Sequence, residues 1–459
     1  MVIPITAWML GGHSRLPALP GTASRASVRA VQVSHFCGDS IWGVIFCLLF
    51  VHPVCFSGED SIRIVWKTDL VLLFLARQAN NWWLMKDNRS RILMMVLVAL
   101  LALATRLQAV QNLPIDIDEP AYLNASLGYA GFLRAADWKG LAWYDENAEH
   151  PPLAKLIYAA ALLPLPPIDQ IQEKDLVAGS PVSRSEARGW LLRGRTVSLV
   201  FGVMAAALLA WVNPAAGFLL AVQTSAVRYT SQVVLEAFPA LASFLCVWAY
   251  AHWNSKFRDD EQSSHWGWLA FSAVMLGLTA ASKYMYCVAG LAVLLHLVWH
   301  GRRQSWPIKR LCGLILAWGA LALLVFFVSD PYLWPRPLSR LLETVQYHFA
   351  FASSEHVARH QYPFWQPLIY LSRAAGPASW YWLALDLPIL LLAVLGLRRM
   401  WQEEPLYMLW LGVALFFLLV WRSKWPQYVM ILIVPWCLAA GLGLRTLWDW
   451  GMMRFKPKA

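Results

Sequence analysis

The sequence predicts an all-α polytopic membrane protein, and three observations carry that expectation. Only 14% of its 459 residues are charged and 59% are hydrophobic, with a mean hydropathy of +0.48. A soluble globular chain carries roughly 25% charged residues. Apolar runs recur at close to the roughly 20 residues that a bilayer crossing needs. The basic residues behind the net charge of +11 lie in short clusters beside those runs, where positive-inside topology puts them. Nucleic acid is therefore not an expected partner.

The apolar segments fall at about 91–110, 193–211, 213–229, 231–252, 267–281, 284–299, 309–329, 381–397, 405–421 and 427–447. Lipid offers the backbone no hydrogen-bond partners, so each must be helical. A shorter run, 152–166, is bracketed by prolines. Its residues rise only about 22 Å against a core of roughly 30 Å, which makes it a juxtamembrane or half-inserted helix. The expected architecture has about 10–11 transmembrane helices and a first outer loop carrying juxtamembrane helices.

Charge sets the topology. The clusters Lys86/Arg89/Arg91, Arg302/Arg303/Lys309/Arg310, Arg398/Arg399 and Arg454/Lys456/Lys458 belong in the cytoplasm. The loop 111–192, the turn near Glu236, Lys283, the loop 330–380 and the turn Arg422–Tyr428 then share the outer face. Arg184, Arg188, Arg193, Arg195, Arg422 and Lys424 stand there against the bias, and holding an anionic lipid head group is a task that would keep them. Residues 1–84 read differently, as an extension upstream of a start at Met85, with a signal-like segment as the competing reading. The seven cysteines, Cys37, Cys47, Cys55, Cys246, Cys287, Cys312 and Cys437, form no CxxC, so neither a disulfide framework nor a zinc site is legible.

The first outer loop opens Asp116-Ile-Asp118-Glu119-Pro-Ala-Tyr122. Acids at a bilayer edge are costly to desolvate and mark function by default, although Asp118-Glu119-Pro120 also suits the first turn of a helix. The same loop ends Glu149-His150-Pro151-Pro152-Leu153-Ala-Lys155. The two prolines fix the backbone and hold Glu149 and His150 at the interface, with Lys155 one turn inside.

Together these motifs resemble glycosyltransferase family 39, the protein O-mannosyltransferase group and its bacterial relatives, which also resemble the aminoarabinose transferases acting on lipid A. The likeness extends to Gly194-Arg195-Thr-Val-Ser-Leu-Val-Phe-Gly202, to Leu235-Glu236-Ala-Phe-Pro and to Gly277-Leu-Thr-Ala-Ala-Ser-Lys283-Tyr284, over roughly residues 91–447. It implies a GT-C-like helical bundle and an inverting transfer from a polyprenyl-phosphate sugar donor to a lipid, glycan or protein acceptor. Asp118 would be the general base. The loop 330–380 is too short for the soluble domain of protein O-mannosyltransferases, which favours a bacterial-type relative in the inner membrane.

The chemistry can be argued without the family. An acceptor hydroxyl must lose a proton, which a positioned carboxylate accepts for a typical gain of about 10²–10⁴-fold. The phosphate leaving group needs fixed positive charge where its own charge develops. Lys283, Arg422 and Lys424 are the candidates for lipid phosphate, with Arg195 behind them. Glu119, Tyr122, Glu149, His150, Lys155 and Glu236 are candidates for holding substrate. Snorkelling at helix ends is the plain alternative for each cation. No cofactor is required, though Asp116 and Asp118 spell the Asp-x-Asp pattern that would hold a divalent ion. A third stretch, Asp330-Pro-Tyr332-Leu-Trp334 with Tyr347-His348-Phe349 and Phe364-Trp365 beyond, reads as an interfacial aromatic belt or as a lid along an isoprenoid chain. Two rival functions are a transporter or lipid-linked-sugar flippase, which expects ionisable residues at midplane, and an inactive assembly scaffold.

Overall fold

The computed structural model describes residues 88–167, 175–259, 265–376 and 384–455, all within the unit Leu70–Ala459. The segment 1–84, the start at Met85 and the basic residues Lys86, Lys456 and Lys458 lie outside the described residues.

Among the described residues all regular structure is helical. Helix α1 (Asn88–Asn112) leads into a loop built from α2 (Glu119–Ala135), α3 (Trp138–Trp143) and α4 (Leu153–Leu162). The chain continues through α5 (Arg188–Val212), α6 (Pro214–Val222), α7 (Thr224–Tyr229), α8 (Ala237–Asp259), α9 (Trp266–Ala280), α10 (Val288–Arg303) and α11 (Ile308–Ser329). A second loop carries α12 (Pro337–Ala352), α13 (Glu355–Arg359) and α14 (Gln366–Ser372), before α15 (Asp386–Glu403), α16 (Pro405–Val420) and α17 (Ile433–Phe455).

Over its described residues each apolar segment expected from the sequence carries one or two helices, with 231–236 irregular and 427–431 a 3₁₀ turn, and the short α4, at about 15 Å, is juxtamembrane in length. Four stretches, Asn88–Asn112, Arg188–Val212, Tyr284–Arg303 and Ile308–Ser329, are long and apolar enough to cross a bilayer on their own, which makes the chain an integral membrane protein. The others are shorter or broken. The segment 213–229 is not one helix: Gln223 ends α6 in an extended conformation, and its side chain accepts from the amide of Ala226, starting α7. Ending a helix beneath the surface strands its last carbonyls. Here Arg106 and Thr105 of α1 reach across and donate to Ala221, with a longer contact from Arg106 to Leu220. A second irregular stretch, 230–236, precedes α8, and the 3₁₀ turn Pro426–Ile431 precedes α17.

Where helices meet most closely, side chains are absent. A Cβ on Gly396 of α15 would fall on the carbonyl of Ala439 in α17, and one on Gly443 would fall on the carbonyl of Leu392. Paired glycines at one crossing let the backbones touch, which is how helices associate where lipid supplies no hydrophobic drive. Similarly, Gly202 of α5 leaves room for Thr230 and Arg106. Close packing of α1, α5 and α6 in this way fixes the base on which the first loop stands.

Candidate functional site

The loop after α1 is held from beneath by one saturated ion pair. Arg195 of α5 and Glu119 of α2 are both fully buried. Arg195 spends all five N–H donors: Nε and Nη2 on the two Glu119 oxygens at 2.8 and 2.5 Å, and the others on the carbonyls of Val110, Leu113 and Pro114. Glu119 in turn accepts from the amides of Val233 and Asp116 at 2.7 and 2.9 Å. No donor or lone pair remains on either residue. This corrects two expectations: Glu119 does not hold substrate and Arg195 does not hold lipid phosphate. They pin the end of α1, the start of α2 and the 230–236 stretch together. Gln232 and Arg228 add to the same anchor. Gln232 donates to the Pro114 carbonyl, and Arg228 binds Asp116 at 2.8 Å.

Asp116 thus has both oxygens engaged, Oδ2 with Arg228 and Oδ1 accepting from the Asp118 amide at 3.2 Å. Among the described residues, no group of three or more His, Cys, Asp or Glu converges as metal ligands.

Asp118 is placed differently. It occupies the N-cap position of α2, yet its side chain makes no capping bond. The carboxylate is half-buried and receives a long contact, 3.3 Å, from the Gln427 amide. Burial, with the negative charges of Asp116 and Glu236 nearby, pushes its carboxyl up to about 6, while Lys283 pulls the other way. Pro120, two positions on in the first turn, supplies the helix start that a cap would otherwise assist, so the side chain is free for another role.

Lys283 and Glu236 form a buried ion pair. Lys283 lies at the junction of α9 and the 3₁₀ turn Tyr284–Cys287 in extended conformation. Glu236 sits just ahead of α8. The ammonium also faces the Tyr428 ring at 5.7 Å. The turn Pro426–Ile431 therefore delivers two neighbours to this place, Gln427 to Asp118 and Tyr428 to Lys283. Tyr122, one turn into α2, packs edge-on against His150 at 5.9 Å, bringing the second motif to the first. Burial and the positive charge of Lys283 lower the His150 imidazole well below its usual range. Glu149 accepts from the Asn147 side chain at 2.6 Å. Asp118, Tyr122, His150, Glu236 and Lys283 are brought together, with Glu149 beside them.

The remaining expected residues serve the scaffold. Lys155 is buried and donates to the carbonyls of Asn147 and His150 at 2.5 and 2.9 Å and to the Asn147 side chain. Burial lowers its ammonium to about 7. It ties down the His-Pro-Pro turn rather than meeting substrate. Lys424 donates to Leu418, Leu419 and Trp421 carbonyls, so it closes the end of α16 where a cation suits the helix dipole and is not available to a phosphate. Arg422 is exposed and contacts Ser353 at 3.3 Å, a placement that joins its turn to the end of α12. Gln427, Tyr428 and Arg228 were missed from the sequence. All three stand at the edge of an expected apolar segment, 213–229 or 427–447, where one polar side chain carries little signal of its own.

No family model matches the chain. Comparison with curated proteins also gives no match. Among solved structures, ArnT from Cupriavidus metallidurans bound to undecaprenyl phosphate is similar, with 14% identity, a TM-score of 0.48 and coverage of 80% of this chain and 62% of that one. The same protein in the apo state gives 15% identity and a TM-score of 0.48, covering 78% and 61%. The chain spans about three fifths of the length of these structures.

Proposed function

We propose that the protein is a GT-C-type membrane glycosyltransferase that moves a sugar from a polyprenyl-phosphate donor to an acceptor hydroxyl at the outer face of a bacterial inner membrane. The observation that carries this reading is a carboxylate left free of structural duty, Asp118, beside a buried cation, Lys283. An acceptor hydroxyl placed against Asp118 gives up its proton to the carboxylate as its oxygen bonds to the anomeric carbon. The bond from that carbon to the phosphate oxygen breaks, and the phosphate leaves with the electron pair. One displacement inverts the anomeric centre, as in single-step inverting glycosidases. A carboxyl that titrates near 6 is a stronger base than an ordinary aspartate and is still ionised at neutral pH. Lys283, held in place by Glu236, offers positive charge where the leaving phosphate develops its own. Tyr122 and Glu149 face the same space and offer polar contacts to sugar or acceptor hydroxyls.

The test is conversion by purified protein. Radiolabelled polyprenyl-phosphate sugar, given with cell-envelope lipid, glycan or protein acceptors, should yield free carrier phosphate and labelled acceptor. Movement of intact donor between leaflets, with the label never leaving the carrier, would instead make the chain a flippase.

A further inference from the structure

The His-Pro-Pro turn has a partner from far along the chain. His348 of α12 lies 5.4 Å from His150, ring centre to ring centre. Tyr284, immediately after Lys283, packs edge-on against His348 at 6.3 Å. Lys283 acts electrostatically on both imidazoles. Two imidazoles thus lie against each other within the electrostatic reach of one ammonium, and both histidines are only partly buried, so a ligand can reach them. Helix α12 also presents Leu338, Leu342, Val345 and Phe349 to the outside, spaced as one helical stripe, with Arg340 and Thr344 buried on the other side. His348 thus sits near an apolar surface along which a long isoprenoid chain could lie.

We propose that His348 is a phosphate-binding residue of the carrier site, and that it and His150 each take up one proton from solvent when the carrier's phosphate enters between them and Lys283. This rests on the carrier-dependent transfer proposed above. The charged and titratable neighbours of His150 are Lys283, Lys155, His348 and Tyr122; those of His348 are Lys283, Glu149, Tyr284, Tyr347 and His150. Burial, with Lys283, lowers both imidazoles in the empty site, and at His348 the carbonyl and carboxylate of Glu149 oppose that only in part. An arriving phosphate reverses that balance, because an opposite charge at contact favours the charged form. Protonation gives each ring a donor at both nitrogens, so one N–H can point at a phosphate oxygen. Carrier affinity then falls as pH rises through the bound-state values, and the spent carrier is released most readily on the alkaline side.

The experiment is calorimetric titration of the full-length protein in nanodiscs with undecaprenyl phosphate, at pH 6, 7 and 8, in two buffers of different ionisation enthalpy. Wild type should take up more protons per carrier bound than His348→Gln, and its affinity should drop about tenfold more between pH 6 and 8. The carrier's own second ionisation, near 6, is common to both and cancels. His348→Lys should recover affinity at pH 8 with no more proton uptake than His348→Gln. Equal uptake and equal affinity in wild type and His348→Gln would overturn the assignment while leaving carrier binding intact. A wild-type protein that binds no carrier at any pH would remove the carrier reading itself, and this inference with it.

Discussion

Asp118 and Glu119 are consecutive carboxylates with opposite surroundings. Glu119 is fully buried and every lone pair is taken, two by Arg195 and two by backbone amides. Asp118 is half-buried, makes no capping bond and has one long contact from Gln427. A carboxylate saturated by fixed donors has nothing left to accept a proton with. One whose partners are long and few, in surroundings that raise it to about 6, can change protonation at little structural cost. The two letters of one motif therefore divide between architecture and chemistry. The same division separates Lys283, which faces the site, from Lys155 and Lys424, whose ammonium groups are spent on carbonyls.

Substitutions can break this contrast. The largest expected effect is on turnover: Asp118→Asn should cost about 10²–10⁴-fold in transfer rate, measured with radiolabelled donor, while thermal unfolding in detergent stays close to wild type. Next is stability. Glu119→Gln, or Arg195→Met, leaves a buried partner uncompensated, and such a loss typically costs about 3–5 kcal/mol. The thermal midpoint should drop sharply, and residual activity should track the folded fraction. A Glu119→Gln protein that melts normally yet fails to turn over would exchange the roles assigned to the two residues. Lys155→Met should loosen the turn Asn147–His150, seen as faster hydrogen exchange there, with a smaller loss of stability. Smallest of all, Arg422→Ala should change neither carrier affinity nor stability beyond about 0.5 kcal/mol, since its side chain is exposed and its one contact is long.

The fold was readable because lipid forces helices and apolar runs mark them. The break within 213–229 was not, since Gln223 is a single polar residue in an apolar stretch, and its capping bond and the rescue of Ala221 by Arg106 are tertiary facts. In the site, Asp118, Glu236 and Lys283 stood out as ionisable residues beside long apolar segments. What the sequence does not encode locally is where a cation's donors are spent. Arg195 and Lys424 looked like phosphate ligands and Lys155 like a substrate contact, because each is a cation beside an apolar segment; in three dimensions Lys155 and Lys424 meet backbone carbonyls, and Arg195 meets carbonyls and Glu119. Gln427 escaped notice because a neutral amide in a turn carries no signal until α17 brings it to α2. The aromatic stretch after Asp330 read as belt or lid, and its helix α12 with His348 on the inner side emerged only with the fold.

The proton affinity of Asp118 is the quantity on which the account turns, and the acid limb of the pH–rate profile measures it. A raised carboxyl must be ionised to accept a proton, so single-turnover transfer should be slow below about pH 6 and rise to a plateau above it. Removing a nearby negative charge with Glu236→Gln, which also leaves Lys283 unneutralised, should move that limb to lower pH. A limb that stays where it was in Glu236→Gln, or a wild-type rate flat from pH 4.5 to 8, would contradict Asp118 as the base.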